Sequence, residues 1–206
     1  MDPSVYHALN NFAYAHTWVA DIAKFFAQDM VFILVGVFGL LWLIRTGRGW
    51  LLDQGSRVAV FAGAVALVLG LLIVQVIGHI WDRPRPFVAL HHFHKLIPHA
   101  ADASFPSDHV TGSAALAFAL ILFGRRWMGS VALVIAVLIG VARVMVGIHW
   151  PTDILGAIGV GAISAFLVFL ARGPITRLAD WCSALYARVL DALGRVVNPR
   201  AHRTGT

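Results

Sequence analysis

Across 206 residues the chain is 59% hydrophobic and only 13% charged, with 16 Lys and Arg against 10 Asp and Glu, a formal net charge of +6 and a mean hydropathy of +0.79. That balance excludes an ordinary water-soluble domain and points to a multi-span membrane protein. The single cysteine, Cys182, excludes an internal disulfide and a thiolate metal cluster, and reads as a small residue packed on a helix face.

In chain order, residues 1–28 lack the basic start and clean apolar run of a secretory signal, mixing His7, His16, Asp21 and Lys24 with aromatic side chains. They predict an amphipathic helix on the membrane or one extra span. Near-continuous apolar sequence follows at 30–44, 58–81, 110–123, 130–148 and 154–171. A crossing needs roughly 17 to 25 residues, so the first and third of these draw on flanking sequence. Polar turns at 47–55 and 124–129 separate the first span from the second and the third from the fourth. Between the second and third lies the longest polar interruption, 82–108, with Pro84, Pro86, Pro98 and Pro106 and with His91, His92, His94 and His99. After Pro174, Ile175, Leu178, Ala179, Cys182, Leu185, Tyr186, Val189 and Leu193 recur at three and four, predicting a basic amphipathic helix over 174–200. No alternating barrel pattern, internal repeat or second domain is evident. The expected fold is all-α: a polytopic membrane helix bundle of about five or six transmembrane helices with amphipathic terminal helices, one domain over 1–206 with its core at 30–171.

Five spans put Arg45, Arg48, Arg57, Arg125, Arg126, Arg172, Arg177, Arg188, Arg195, Arg200 and Arg203 on one side, and Lys24, Arg83, Arg85 and Lys95 on the other. The bias assigns the arginine-rich side to the cytoplasm, so that 82–108 and His149 face outward. The basic C-terminal segment then reads as a surface helix attracted to anionic lipid, with no nucleic acid as partner. Trp42, Trp50, Trp81, Trp127 and Trp150 fall near span ends, as interfacial anchors do.

Three polar segments abut span ends on the outward side. In Arg83-Pro84-Arg85-Pro86-Phe87 two arginines leave the second span; guanidinium grips phosphate through paired hydrogen bonds, although a pair of arginines at a boundary is also an ordinary topological anchor. In Ser104-Phe105-Pro106-Ser107-Asp108-His109, Ser107 is a candidate N-cap whose hydroxyl, with the first-turn amides, forms an anion site, and His109 stands within proton-transfer reach; a plain helix cap is the bland alternative. The third segment holds Arg143, His149 and Asp153 in a very apolar run. An arginine costs about 2.5–3.5 kcal/mol at the centre of a membrane helix, so one is kept there mainly for function. Pro151 suits a first helical position, and Asp153 is then spaced to accept from one imidazole nitrogen of His149, leaving the other free as a nucleophile.

The ordered motifs Arg85-Pro86, Pro106-Ser107-Asp108-His109, and Arg143 followed by His149 and Asp153 resemble the type 2 phosphatidic acid phosphatase superfamily of membrane lipid phosphatases. The Arg83 to Phe87 run is similar to that of bacterial undecaprenyl pyrophosphate phosphatases of the bacitracin-resistance type. The resemblance implies a hydrolase needing no metal or other cofactor. His149 would attack the distal phosphorus, Asp153 would orient it, and His109 would protonate the departing lipid monophosphate; Arg85, Arg143, Ser107, Arg83 and Asp108 would surround the substrate. It implies a multi-pass protein of the bacterial inner membrane with an outward site, a lipid pyrophosphate substrate and membrane lipids as partners, and it sets no oligomeric state. Phosphatidic acid and phosphatidylglycerol phosphate are the alternative substrates. Three positions depart from the family pattern: Gly78 stands where the family often has a phosphate-binding lysine, Asp108 replaces glycine, and Ala142 replaces serine. Arg83 is expected to supply the missing cation. Two other classes compete. A metal-dependent hydrolase would use His91, His92, His94, His99 and His109, but the chain has no glutamate and no H-E-x-x-H. A transporter or scaffold would use Arg143 as a gating charge, but repeated broken helices are lacking.

Overall fold

The computed structural model describes residues 2–46 and 49–197. Arg48, Arg200 and Arg203 of the charge count, and the last residues of the expected C-terminal helix, lie outside the described residues. In order come α1 (Asp2–Ala15), α2 (Thr17–Gln28), α3 (Met30–Leu43), β1 (Arg45–Thr46), β2 (Gly49–Trp50), α4 (Gln54–Ile80), the single turn α5 (Pro86–Ala89), α6 (Asp108–Leu122), α7 (Arg126–Met145), α8 (Pro151–Leu170) and α9 (Arg172–Val197).

The bundle is built around α6, against which α4, α7 and α8 all pack. Buried clusters join it to α4 and α7 through Ala59, Leu116, Ala117, Leu120 and Ala132, and to α4 and α8 through Ala62, Ala66, Ala115, Ala119 and Ala165. Helices in lipid gain little from hydrophobic association, so close backbone approach between small residues supplies the contact. Gly161 of α8 is the tightest such approach to α6 backbone on that side: a Cβ there would lie 2.8 Å from Ala114 Cβ and from Ala115 N, and 2.9 Å from Thr111 O. Outward, Val68 and Leu72 of α4, Val134 and Leu138 of α7, and Leu155, Phe166 and Leu170 of α8 are exposed, a belt suited to lipid.

Helices α4, α7 and α8 are each long and apolar enough to cross a membrane, and α2 with α3 forms a further crossing bent by 48°. Among the described residues that makes three or four helices fit to cross, against the five or six expected, and α6 is apolar but shorter than a crossing needs. Three local details differ from the sequence expectation. Residues 1–28 divide at His16 into α1, which packs on α7 and α8, and α2, which leads into α3. The turn at 47–55 includes a two-residue antiparallel hairpin pairing Arg45 with Trp50. The last helix starts at Arg172, since Pro174 in a first turn needs no backbone N–H partner. The 82–108 stretch has only α5 as regular structure but is pinned: Leu96 N donates to Val146 O at 3.0 Å and Ser104 N to Arg83 O at 2.9 Å. Asn10, fully buried, donates to His94 O and Met145 O, both at 2.8 Å, and accepts from His94 N at 2.9 Å. One side chain thus ties α1 to the outer loop and to the end of α7.

Gly161→Val should therefore lower the thermal unfolding midpoint in detergent, since overpacking costs about 1–3 kcal/mol and each kcal/mol shifts a chain of this size by about 2–4 °C. Gly159→Val, where a Cβ meets nothing within 4 Å, should leave the midpoint within about 1 °C, as neutral surface substitutions do.

Candidate active site

Two backbone devices bring the polar segments together. Beyond α4, Pro84 and Pro86 keep the chain from continuing as helix, and Arg85 becomes the extended residue before Pro86 at the start of α5. At the end of α7 the chain turns through Gly147 at φ +90°, where a Cβ would lie 2.4 Å from His94 O and 3.2 Å from Asn10 Nδ2. Only glycine meets both demands, and the turn delivers His149 to the head of α8, with Pro151 as its first residue.

His149 is buried, with 1% of its surface exposed. Its Nδ1 lies 2.8 Å from Ser104 O, an oxygen that can only accept, so Nδ1 carries the proton and Nε2 the lone pair. That lone pair faces two guanidinium groups, Arg143 Nη2 at 3.1 Å and Arg85 Nη1 at 3.2 Å. Burial, and then the charges of Arg143 and Arg85, hold the His149 pKa well below the ordinary histidine value, so the ring is neutral at pH 7. Both arginines are themselves buried and held chiefly by backbone carbonyls. Arg85 donates to Ile148 O at 2.9 Å and Ala103 O at 3.1 Å, with Asp102 Oδ1 at 2.8 Å on its Nε. Arg143 donates to Ala27 O at 2.9 Å, and among the described residues its Nε has no hydrogen-bond partner.

Asp153 lies beside the imidazole but is not its nearest partner. Its Oδ2 is 3.4 Å from His149 Nδ1 and accepts from Trp150 N at 2.8 Å, so the tautomer assigned to Asp153 on sequence grounds is set by the Ser104 carbonyl. Arg83 is placed differently from expectation too. Its Nη1 donates to Asp153 Oδ1 at 2.6 Å and to Thr152 Oγ1 at 2.7 Å, and its Nη2 to Asp2 Oδ2 at 2.7 Å. Two carboxylates thus engage its guanidinium, which braces Asp153 in place of the expected free phosphate-binding cation.

At the start of α6, Ser107 takes the N-cap position, yet its hydroxyl caps nothing; it is fully buried and has no hydrogen-bond partner among the described residues. Asp108 Oδ1 accepts from His109 N at 2.8 Å and from His109 Nδ1 at 3.0 Å, and lies 3.7 Å from Arg143 Nη2. One of the amides expected to serve an anion is thus occupied, and Asp108, a pure acceptor when ionised, orients His109 instead of offering a donor to phosphate. Through Asp108 and Arg143 the two histidines are linked. His109 itself lies edge-on to Phe32 of α3, with ring centroids 5.9 Å apart.

A cavity of about 480 Å³ opens over this cluster, lined among others by Gly78, His79, Arg85, Asp102, Asp108 and His149. Gly78 leaves the α4 wall bare where a lysine is usual, and His79 stands beside it. Sequence reasoning missed Asp102 and the carbonyls of Ser104, Ala27, Ala103 and Ile148; carbonyls carry no residue-type signal, and Asp102 lay unremarked in the outer loop. Of the loop histidines, His91, His92 and His94 line a separate cavity with His7, where His94 stacks on Tyr14 with centroids 3.6 Å apart, whereas His99 faces Asp102 at 3.7 Å. Among the described residues no three His, Cys or Asp side chains are grouped to hold a metal ion.

Known proteins share this arrangement of sequence and fold. The family profile described as PAP2 superfamily matches residues 59–177. The chain is 32% identical over 193 residues to the undecaprenyl-diphosphatase BcrC of Bacillus subtilis (strain 168), covering 94% of this chain and 95% of that protein. It is 28% identical over 181 residues to a Bacillus licheniformis protein named bacitracin transport permease protein BcrC, covering 88% of this chain and 85% of that one. The crystal structure of Aquifex aeolicus LpxE superposes with a TM-score of 0.65 at 20% identity, over 81% of this chain and 93% of that chain, which is a likeness of fold.

The neutral, depressed His149 has a pH consequence with a definite sign. A histidine titrating lower in the folded protein than its unfolded value of about 6.5 contributes stability that is present above that pH and is lost as pH falls toward the folded value. Between pH 7 and pH 5 the unfolding midpoint of the wild type should fall more steeply than that of His149→Gln, in which this proton uptake is absent.

Proposed function

This chain belongs to the PAP2 superfamily, and we propose that it hydrolyses undecaprenyl diphosphate to the monophosphate and inorganic phosphate through a phosphohistidine at His149. The observation that carries this reading is the unprotonated Nε2 of a buried, neutral histidine held between two guanidinium groups. Such a nitrogen is a nucleophile already aimed at whatever the guanidiniums bind.

In this mechanism oxygens of the distal phosphoryl group take the N–H groups that now meet Nε2, bringing phosphorus within reach of the lone pair. The Nε2–P bond forms as the bond from phosphorus to the bridging oxygen breaks, and His109 supplies a proton to the departing lipid monophosphate. Arg85 and Arg143 stabilise the charge spread over the equatorial oxygens, aided by the Ser107 hydroxyl and the remaining amides at the start of α6. The Ser104 carbonyl holds the Nδ1 proton throughout, and Asp153 adds negative charge beside the ring as it becomes cationic. Water then attacks phosphorus, His109 takes its proton, and the N–P bond breaks to return neutral His149. Asp108 fixes the Nδ1 side of His109 and leaves Nε2 to exchange the proton, which requires the ring to rotate from Phe32 toward the bound head group.

The proposed setting is a bacterial inner membrane with the site facing outward. Arg45, Arg57 and Arg125 lie at the end of the bundle away from His149, where Arg125 pairs with Asp53 at 2.8 Å and Arg45 with Asp191 at 2.7 Å. Positive charge on that end supports its facing the cytoplasm. Phosphatidic acid and phosphatidylglycerol phosphate are the competing substrates, and purified polyprenyl diphosphate should be turned over at least about tenfold more efficiently than either, a preference of about 1.4 kcal/mol.

Rapid quench with substrate labelled in the distal phosphate should trap acid-labile phosphoprotein in wild type and in His109→Ala, where breakdown of the intermediate is slowed, and none in His149→Ala. Labelled His149→Ala protein would sink the assignment. Arg85→Ala should lower kcat by about 10²–10³, the range for losing a transition-state donor. Arg83→Ala should cost about tenfold or less and act mainly through thermal stability, since its partners are Asp2, Thr152 and Asp153.

A further inference from the structure

The opposite end of α4 carries a second cavity of about 370 Å³, lined by Trp50, Gln54, Arg57, Asp180 and Ser183. Along α4, Arg57 and Gly78 are about 32 Å apart at the helical rise of 1.5 Å per residue, so this cavity is separate from the one at His149. Arg57 is only 4% exposed. The faces of its guanidinium are covered by aromatic rings, with Cζ 3.4 Å from the Trp50 centroid and 4.6 Å from that of Trp42. Tyr186 of α9 stacks against both tryptophans, and Trp42 Nε1 donates to Arg57 O at 3.1 Å. The guanidinium edges are unused: Nε and Nη2 are buried, and among the described residues neither has a hydrogen-bond partner. A charged group costs several kcal/mol to bury unless paired, and Asp180 acts on Arg57 only through space, which leaves the guanidinium short of an acceptor at the cavity it lines.

Across the same cavity stands Asp180, whose Oδ1 accepts from Gln54 Nε2 at 3.1 Å. Among the described residues it forms no ion pair with Arg57 within 4.0 Å. A cation and an anion thus flank one space without meeting, which suits a ligand bearing both signs. The source is the bilayer. Helix α9 exposes Leu178, Trp181, Leu185, Val189 and Leu193 along one stripe at spacings of three and four, as a helix lying in the interface does.

We propose that this cavity binds the head group of a zwitterionic aminophospholipid from the leaflet opposite the active site, its phosphate on Arg57 and its ammonium on Asp180. The bound lipid joins the hairpin and α9 to the start of α4, and the site is independent of the reaction at His149.

The test uses the full-length protein in detergent, measuring binding by native mass spectrometry and thermal shift. The probes are short-chain phosphatidylethanolamine, phosphatidylglycerol with the same acyl chains, and inorganic phosphate. Wild type should bind one ethanolamine lipid at least about tenfold more tightly than the glycerol lipid, a difference of about 1.4 kcal/mol. Arg57→Gln should lose that binding while retaining turnover at His149. Asp180→Asn, an isosteric change at a half-buried position, keeps the fold if Arg57→Gln does not, and should abolish the preference by weakening the ethanolamine lipid alone. Equal affinity of wild type for the two lipids, a preference unchanged in Asp180→Asn, or inorganic phosphate alone reproducing the full thermal shift overturns the proposal.

Discussion

The imidazole of His149 has two nitrogens with opposite duties, and the rest of the site follows from keeping them distinct. The Ser104 carbonyl fixes the proton on Nδ1, which leaves Nε2 as a lone pair between Arg85 and Arg143. Two cations that close would repel each other and a protonated ring alike, so the histidine stays neutral and the whole pocket is poised for an anion. In the proposed mechanism a dianionic phosphoryl group relieves that repulsion, so that binding it also brings phosphorus to Nε2.

How the arginines are held decides which of them can act on a substrate. Backbone carbonyls of Ala27, Ile148 and Ala103 satisfy the N–H geometry of Arg143 and Arg85 without cancelling their charge. The carboxylates near them, Asp102 and Asp108, have side chains 62% and 49% exposed, so water screens what they subtract. Arg83 is the converse case, locked between Asp2 and the fully buried Asp153. Its charge is spent on holding α1 and α8 together behind the nucleophile. Two arginines separated by one proline thus have different electrostatic fates.

That difference marks the limit of what the chain made legible. The apolar helices, the long polar stretch after α4, and the convergence of Arg85, Ser107, Arg143 and His149 all follow from apolar runs and motif spacing, because helix ends and prolines bring those positions to one end of the bundle. Arg83 could not be separated from Arg85 because its partner Asp2 lies at the far end of the sequence and only the packing of α1 brings it near. Asp153 was read as the tautomer-setting group because its spacing from His149 suits the part, whereas the winning acceptor is a main-chain oxygen from another segment. The Arg57 cluster was equally hidden: four aromatic or charged residues from α3, β2, α4 and α9 meet only when the hairpin folds against the last helix.

The depth of the pocket comes from a mismatch of helix lengths. Helices α4 and α6 run side by side, with Gly63 against Leu116 and Gly70 against Thr111. Beyond that contact α6 has only the residues from Thr111 to Asp108 left whereas α4 continues from Gly70 to Ile80, so α6 begins roughly 10 Å short of the end of α4 at about 1.5 Å per residue. The positive end of α6, with Ser107 and the two guanidiniums beside it, is therefore sunk below the rim, and residues of α4 as far down as Val74 form its wall. In the proposed membrane setting, with a hydrocarbon thickness of about 30 Å, a phosphoryl group seated there would lie near the apolar boundary. A soluble phosphate ester gains nothing from that depth, whereas a lipid diphosphate reaches it while its tail stays in the bilayer. Bulk water is thinned around the buried Arg85 and Arg143, which in the proposed mechanism strengthens their hold on the developing transition state.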